Sequence, residues 1–173
     1  MHIHPVTIAP NPQYDVRFLP TQFNPHLSPA ILAQPASSPP LPNLGLRVGD
    51  LPWLFKVTPD TGPSLGKAYD TVQDVLLAIH YHLRADVKSA EYEVMSQSRK
   101  AEIFWEFERR VGSAGEGLRR VDFLNGRHRA QGLVRANFED NVWDVILNRV
   151  ALPFPLCHGH RPKRINGEAI VIC

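Results

Sequence analysis

Eight histidines and two cysteines are the residues of this chain best suited to holding a metal. Three His-x-His pairs occur, His2/His4, His80/His82 and His158/His160, and Cys157-His158-x-His160 is the densest run of ligand types. Zinc takes four protein ligands in structural sites and usually three in catalytic ones. Residues i and i+2 share a face on a strand but point apart on a helix. His2 and His4 could therefore chelate one ion, whereas His80 and His82, on a predicted helix, could not. Cys157, His158 and His160 lack a fourth partner at a recognisable spacing. No metal and no other cofactor is expected.

The carboxylates offer acid–base chemistry. Asp122 interrupts the apolar run Val121-Asp122-Phe123-Leu124, which reads as a strand. It either faces solvent opposite Val121 and Phe123, or is partly buried and paired with an arginine such as Arg17 or Arg120, or serves as a general acid or base. The last role needs a raised pKa and a reacting proton within reach. Asp15, beside Tyr14, has the same alternatives. Arginine binds phosphate and carboxylate with paired hydrogen bonds, and Arg119-Arg120, Arg127-His128-Arg129 and Arg135 gather on a predicted hairpin. Gly112-Ser113-Ala114-Gly115-Glu116-Gly117 is not a nucleotide-binding pattern and precedes no helix. Charge on a hairpin edge also guards against aggregation. Trp105 falls off the helical stripe set by Phe104, Phe107 and Val111. Beside Arg109 it suits a partner surface, or it covers the loop at 112–117. No catalytic residue is assigned; the candidate binding residues are Tyr14, Asp15, Trp105, Asp122, Arg127 and Arg129.

These residues sit on a chain of 173 residues that is 43% hydrophobic, long enough for one domain with a real core. The net charge is +2. Residues 1–98 carry 6 Lys and Arg against 8 Asp and Glu, and residues 99–173 carry 13 against 9. That imbalance is too weak for a nucleic-acid footprint, so no nucleic-acid partner is expected. No run approaches a membrane span, and no membrane partner is expected. Two cysteines do not make a disulfide framework, so the cytoplasm or nucleus is the expected compartment. Arg161-Pro162-Lys163-Arg164 is a short basic tract compatible with nuclear import.

Thirteen of the sixteen prolines lie in residues 1–63. Pro35 to Pro42 should be extended and largely solvated, since proline fixes φ and removes donors. The spacing predicts short strands at Tyr14–Leu19, Leu44–Val48 and Pro52–Val57, the last with Trp53, Phe55 and Val57 on one face. Thr71-x-x-Asp74 opens a helix whose apolar positions, Val72, Val75, Leu76, Ile79 and Leu83, form one stripe ending near Arg84. His80 should border that stripe and His82 face solvent. A second helical stretch runs from Ser89 to Val111 with a break around Ser96–Arg99, and Gly112 suits its end. Asn125-Gly126 predicts a hairpin between Arg119–Leu124 and Arg127–Val134, and Val142–Leu147 a further strand. The expected fold is α+β: a mainly antiparallel sheet with two to three helices packed on one face, in the order β-β-β-α-α-β-β-β. Residues 1–150 form the expected domain, with a proline-rich surface loop at about 25–42, and residues 151–173 a C-terminal tail.

Several spaced pieces resemble a known family. They are His4-Pro5, Tyr14-Asp15-Val16, Leu46-Arg47-Val48, Thr71-Val72-x-Asp74-Val75-Leu76-x-Ala78-Ile79 with Leu83, Glu91-Tyr92, Arg120-Val121-Asp122-Phe123-Leu124, Gly132-Leu133 and Trp143. In this order they resemble a family of domains of unknown function abundant in mushroom-forming fungi. The resemblance implies an intracellular fungal α+β domain and no particular activity. Ala130 departs from it, standing where a larger apolar residue is expected. The absence of catalytic motifs favours a non-catalytic module that binds a protein partner or a small molecule. The alternative is a small enzyme or ligand-binding domain with a pocket between sheet and helices. Oligomeric state is not readable from the sequence.

Overall fold

A computed structural model describes residues 2–3, 14–20, 28–49, 51–59, 68–112, 116–136 and 141–149, and the strand backbone at 163–165 and 168–170. Thr71 begins the organising helix. Its hydroxyl accepts from Asp74 N (3.2 Å), and the Asp74 carboxylate accepts from Thr71 N (2.8 Å) and Thr71 Oγ1 (2.6 Å). This reciprocal cap is worth about 1 kcal/mol. The helix, α2, spans Val72–Arg84, after a short α1 at Pro29–Leu32. All five stripe residues, Val72, Val75, Leu76, Ile79 and Leu83, are buried.

The predicted break in the next stretch is real: α3 is Ser89–Glu93 and α4 is Gln97–Val111, restarted by Ser96, whose Oγ accepts from Arg99 N. Only Ile103 of α4 is buried, and Phe104 is half exposed, which corrects the expected stripe. The inward face is instead Arg99, Ile103, Glu106, Phe107 and Arg110. These lie at helical spacing, but three of the five are charged, so an apolar pattern could not reveal them.

The main sheet has five strands in the order β2-β6-β7-β4-β5: Tyr14–Asp15, Arg129–Arg135, Val142–Asn148, Gly45–Val48 and Leu54–Lys56. Three pairings are antiparallel and β4 with β7 is parallel, so the sheet is mixed. One face carries Leu46, Val48, Phe55, Leu133, Trp143 and Val145 into a core shared with α2, Ile103 and Phe123. On the other face Leu54 and Val134 are exposed, and Arg47 pairs with Asp144 across the parallel register at 2.8 Å. Gly45 suits the close approach of β4 to β7, since a Cβ there would lie 3.0 Å from Val142 Cγ2 and 3.3 Å from Asn141 O, and Val142 would have to shift. At Ala130 the ladder slips by one residue before Gly132, and Ala130 still packs on the core. A two-stranded ladder joins β1 (His2–Ile3) to β3 (Ser37–Ser38), and another joins β8 (Lys163–Ile165) to β9 (Glu168–Ile170).

Three expectations need correction. Arg120–Leu124 is a 3-10 helix, so Asn125-Gly126 joins it to β6 and is not a hairpin turn. Both turn residues do take positive φ, 48° and 78°, but Asp122 accepts from Arg119 N (2.9 Å) and caps the segment as a helix. His82 does not face solvent: its ring stacks on Phe55 with centroids 3.8 Å apart, and burial with Arg120 nearby lowers its pKa to about 4. The proline-rich segment is only partly solvated. Ser38, Pro39, Pro40 and Pro42 are exposed, while Ala36 and Ser37 are buried, because Ala36 N donates to Asp70 O and Val72 N to Gln34 O. Among the described residues no helix is long and apolar enough to cross a membrane.

Asp70 precedes the cap and is buried. One carboxylate oxygen accepts from Leu44 N (2.7 Å), and the other has no hydrogen-bond partner among the described residues. Burial, with Asp74 nearby, raises its pKa to about 6 against the Leu44 hydrogen bond. A carboxyl whose pKa is raised by folding stabilises fully below its unfolded pKa, and that stability is lost as pH rises through 6. A shift of this size is worth on the order of 3 kcal/mol. Asp70→Asn keeps an acceptor for Leu44 N and cannot ionise. Between pH 4 and 7.5 its melting temperature should gain roughly 5–10 °C relative to the parent; parallel pH profiles would refute this account.

Candidate functional site

A cleft of about 440 Å³ opens where four segments meet. Arg17 and Phe18 come from the turn after β2, Arg84 from the end of α2, Glu106, Arg109 and Arg110 from α4, and Arg119, Val121, Asp122, Gly126 and His128 from the 3-10 segment and its exit. Glu106, Arg109 and Arg110 share a helix face because i, i+3 and i+4 are neighbours.

Asp122 is the buried anchor, with its side chain 1% exposed. Oδ1 accepts from Arg110 Nε (2.7 Å), and Oδ2 from Arg110 Nη2 (2.9 Å) and Arg119 N (2.9 Å). It does not face solvent; it is buried and paired with an arginine, as one of the sequence alternatives has it, and that arginine is Arg110, not Arg17 or Arg120. Arg110 also donates through Nη1 to Glu116 and through Nη2 to Gly117 O. Arg120 instead lies over the Trp53 ring, 4.8 Å from its centroid.

The β2 turn is locked by its own hydrogen bonds. Tyr14 is buried, and its hydroxyl donates to Phe18 O (3.0 Å); Val16 N donates to His128 O (2.9 Å). Burial and Asp15 raise the Tyr14 pKa well above the usual phenol range. Asp15 accepts from Arg17 Nε and Nη2 and from Arg17 N. Burial alone would raise the Asp15 carboxyl, but the Arg17 fork outweighs it and holds the pKa below the usual range. Tyr14 and Asp15 thus orient Arg17 and do not themselves line the cleft.

Two further groups are displaced from their ordinary values. Burial raises the Glu106 carboxyl, opposed by Arg109, which donates to it. Burial, with Arg17 and Arg109 adding repulsion, lowers His128 to about 4. His128 Nε2 stands 3.9 Å from Glu106 Oε2, and a pKa of about 4 leaves the His128 ring neutral at neutral pH.

Of the sequence candidates, only Asp122 lines the cleft. Arg127 donates to Leu124 O and lines a smaller, mostly apolar hollow of about 150 Å³. Arg129 lies opposite Asp15 in the β2–β6 register. Trp105 is exposed on α4, off the cleft-lining face. His4, Cys157, His158 and His160 lie outside the described residues. Among the described residues no group of three metal-ligating side chains converges. Sequence reasoning did not single out Arg84, Glu106 or Arg110 and placed Arg109 only beside Trp105. The spacing Glu106-x-x-Arg109-Arg110, read for charge instead of apolarity, was the available signal.

Two outcomes follow for the anchor. Removing one member of a buried pair strands the other, so Asp122→Ala should cost about 3 kcal/mol or more in urea unfolding. Glu116→Ala, which removes an exposed partner of the same arginine, should cost less than about 1 kcal/mol; equal losses would refute the anchoring role. His128 has a pKa lowered by folding, so its contribution is present above its unfolded pKa near 6.5 and is lost as pH falls towards 4. His128→Gln should flatten the acid limb of the melting-temperature profile over that window.

Comparison with curated proteins and with solved structures returned no match. A family model matches residues 12–142, most of the chain and every described residue of the cleft. The chain belongs to that family, described as a family of unknown function (DUF6699).

Proposed function

We propose that this member of a family of unknown function is a non-catalytic binding module, and that the arginine-lined cleft takes an anionic group. The observation that carries the proposal is the lining itself: five arginines against two carboxylates in a concave site of small-ligand size. Asp122 accepts three hydrogen bonds, two from Arg110 and one from Arg119 N, which gives the carboxylate a structural task in holding the cleft wall together. No hydroxyl or thiol lines the cleft among the described residues. The proposed setting is the cytoplasm or nucleus of a fungal cell, on the family resemblance and the low cysteine count.

Glu106 and His128 favour a second reading. A carboxyl with a raised pKa beside a neutral imidazole is the kind of pair that moves protons in an enzyme. One experiment separates the two. The full chain, labelled with ¹⁵N, is titrated with a panel of small carboxylates, sulfonates and phosphates at moderate ionic strength. Binding should move the amides of Arg17, Phe18, Gly126 and His128, leave Trp105→Ala as competent as the parent, and return every ligand unchanged. Shifts elsewhere, or none, would refute the cleft as the site; conversion of a panel member would establish the enzyme reading.

A further inference from the structure

The arrangement of spare donors narrows the ligand. A guanidinium carries five N–H donors in a fixed fork. Arg110 spends all three nitrogens on Asp122, Glu116 and Gly117 O, so it is a strut and not a binding group. Arg17 gives Nε and Nη2 to Asp15 and keeps Nη1. Arg109 meets Glu106 through Nη2 alone, and Arg119 reaches Glu116 through Nη2 at 3.3 Å. Arg84 lines the cleft, is exposed, and has no acidic partner or hydrogen bond among the described residues.

Four guanidinium groups with donors to spare therefore surround one cleft. A carboxylate offers two oxygens and is satisfied by a single fork. A phosphate monoester offers three terminal oxygens and about 1.5–2 negative charges at neutral pH, which matches several forks at once. The cleft is also larger than a free phosphate requires, and Phe18, 39% exposed, and Val121 give it an apolar wall. An aromatic body could pack edge-to-face or offset against Phe18.

Resting on the anion-binding reading above, we propose that the cleft binds a phosphate monoester carried on an apolar or aromatic body, with Arg84, Arg109, Arg119 and Arg17 holding the phosphate and Phe18 the body. The phosphate can come from a free small molecule or from a phosphorylated tyrosine side chain; the chemistry recognised is the same.

Calorimetric titration of the full chain with phenyl phosphate, benzoate, inorganic phosphate and a phosphotyrosine peptide tests this. Phenyl phosphate should bind at least tenfold more tightly than benzoate and than inorganic phosphate. Arg84→Gln should weaken it tenfold or more with an unchanged melting temperature, and Phe18→Ser should narrow its advantage over inorganic phosphate. A peptide that binds more tightly than phenyl phosphate assigns the protein source, and one that binds no better assigns the free small molecule. If benzoate matches phenyl phosphate and both are lost in Arg84→Gln, the phosphate inference falls and the anion cleft stands. Binding that Arg84→Gln leaves intact overturns the site, and no binding of any anion overturns both proposals.

Discussion

A carboxylate withdrawn from water must find donors or lose its charge. Asp122 finds three, and the geometry around the cleft follows from meeting that demand. Arg110 can reach both oxygens only if α4 lies alongside the 3-10 helix, which brings Glu106 and Arg109 to the wall of the cleft. Arg119 N can reach Oδ2 only if the chain turns into a helix at Arg120 and not a strand. Arg99, donating to Phe123 O at 2.6 Å, fixes the same contact from the other end of α4. The pair's net worth against an apolar substitute is small by general experience; its effect here is to specify one docking geometry.

The sheet supplies the second constraint. β4 and β7 run parallel, and a parallel pair needs a long crossover. Here the crossover holds β5, all of α2, α3 and α4, the 3-10 helix and β6. Every cleft-lining segment except the Arg17–Phe18 turn lies within it. That turn is brought in separately, by β2 pairing at the sheet edge with β6 and by Val16 N reaching His128 O. The cleft is thus a junction between the edge of the sheet and its crossover, built on hydrogen-bonded backbone on both sides.

Much of the fold was legible because it rests on local rules. The Thr71–Asp74 cap, the α2 stripe, the break at Ser96 and the alternation of Val142–Leu147 each declare themselves within a dozen residues. The 3-10 helix did not. Val121, Phe123 and Leu124 look like a strand, and what bends them is a carboxylate whose main partner lies twelve residues back in another element. The site was hidden for a related reason. Apolar periodicity finds faces that bury hydrocarbon, whereas the inward face of α4 buries Glu106 and the stem of Arg110. His82 was misplaced likewise, since its neighbour Phe55 comes from the edge strand β5.

The parallel pairing also has a consequence for synthesis on the ribosome. Arg47 and Asp144 face each other across 97 residues of sequence. At about 5–20 residues per second, β4 emerges roughly 5–20 s before the strand that will cover its free edge. During that interval β4 and β5 make a lone hairpin, and an isolated hairpin is marginal in water. The backbone edge of β4 that β7 will cover is then open to pairing with other chains. Completing the domain is therefore a post-emergence event that waits for β7, and the nascent chain's exposure to aggregation is set by strand order more than by final stability.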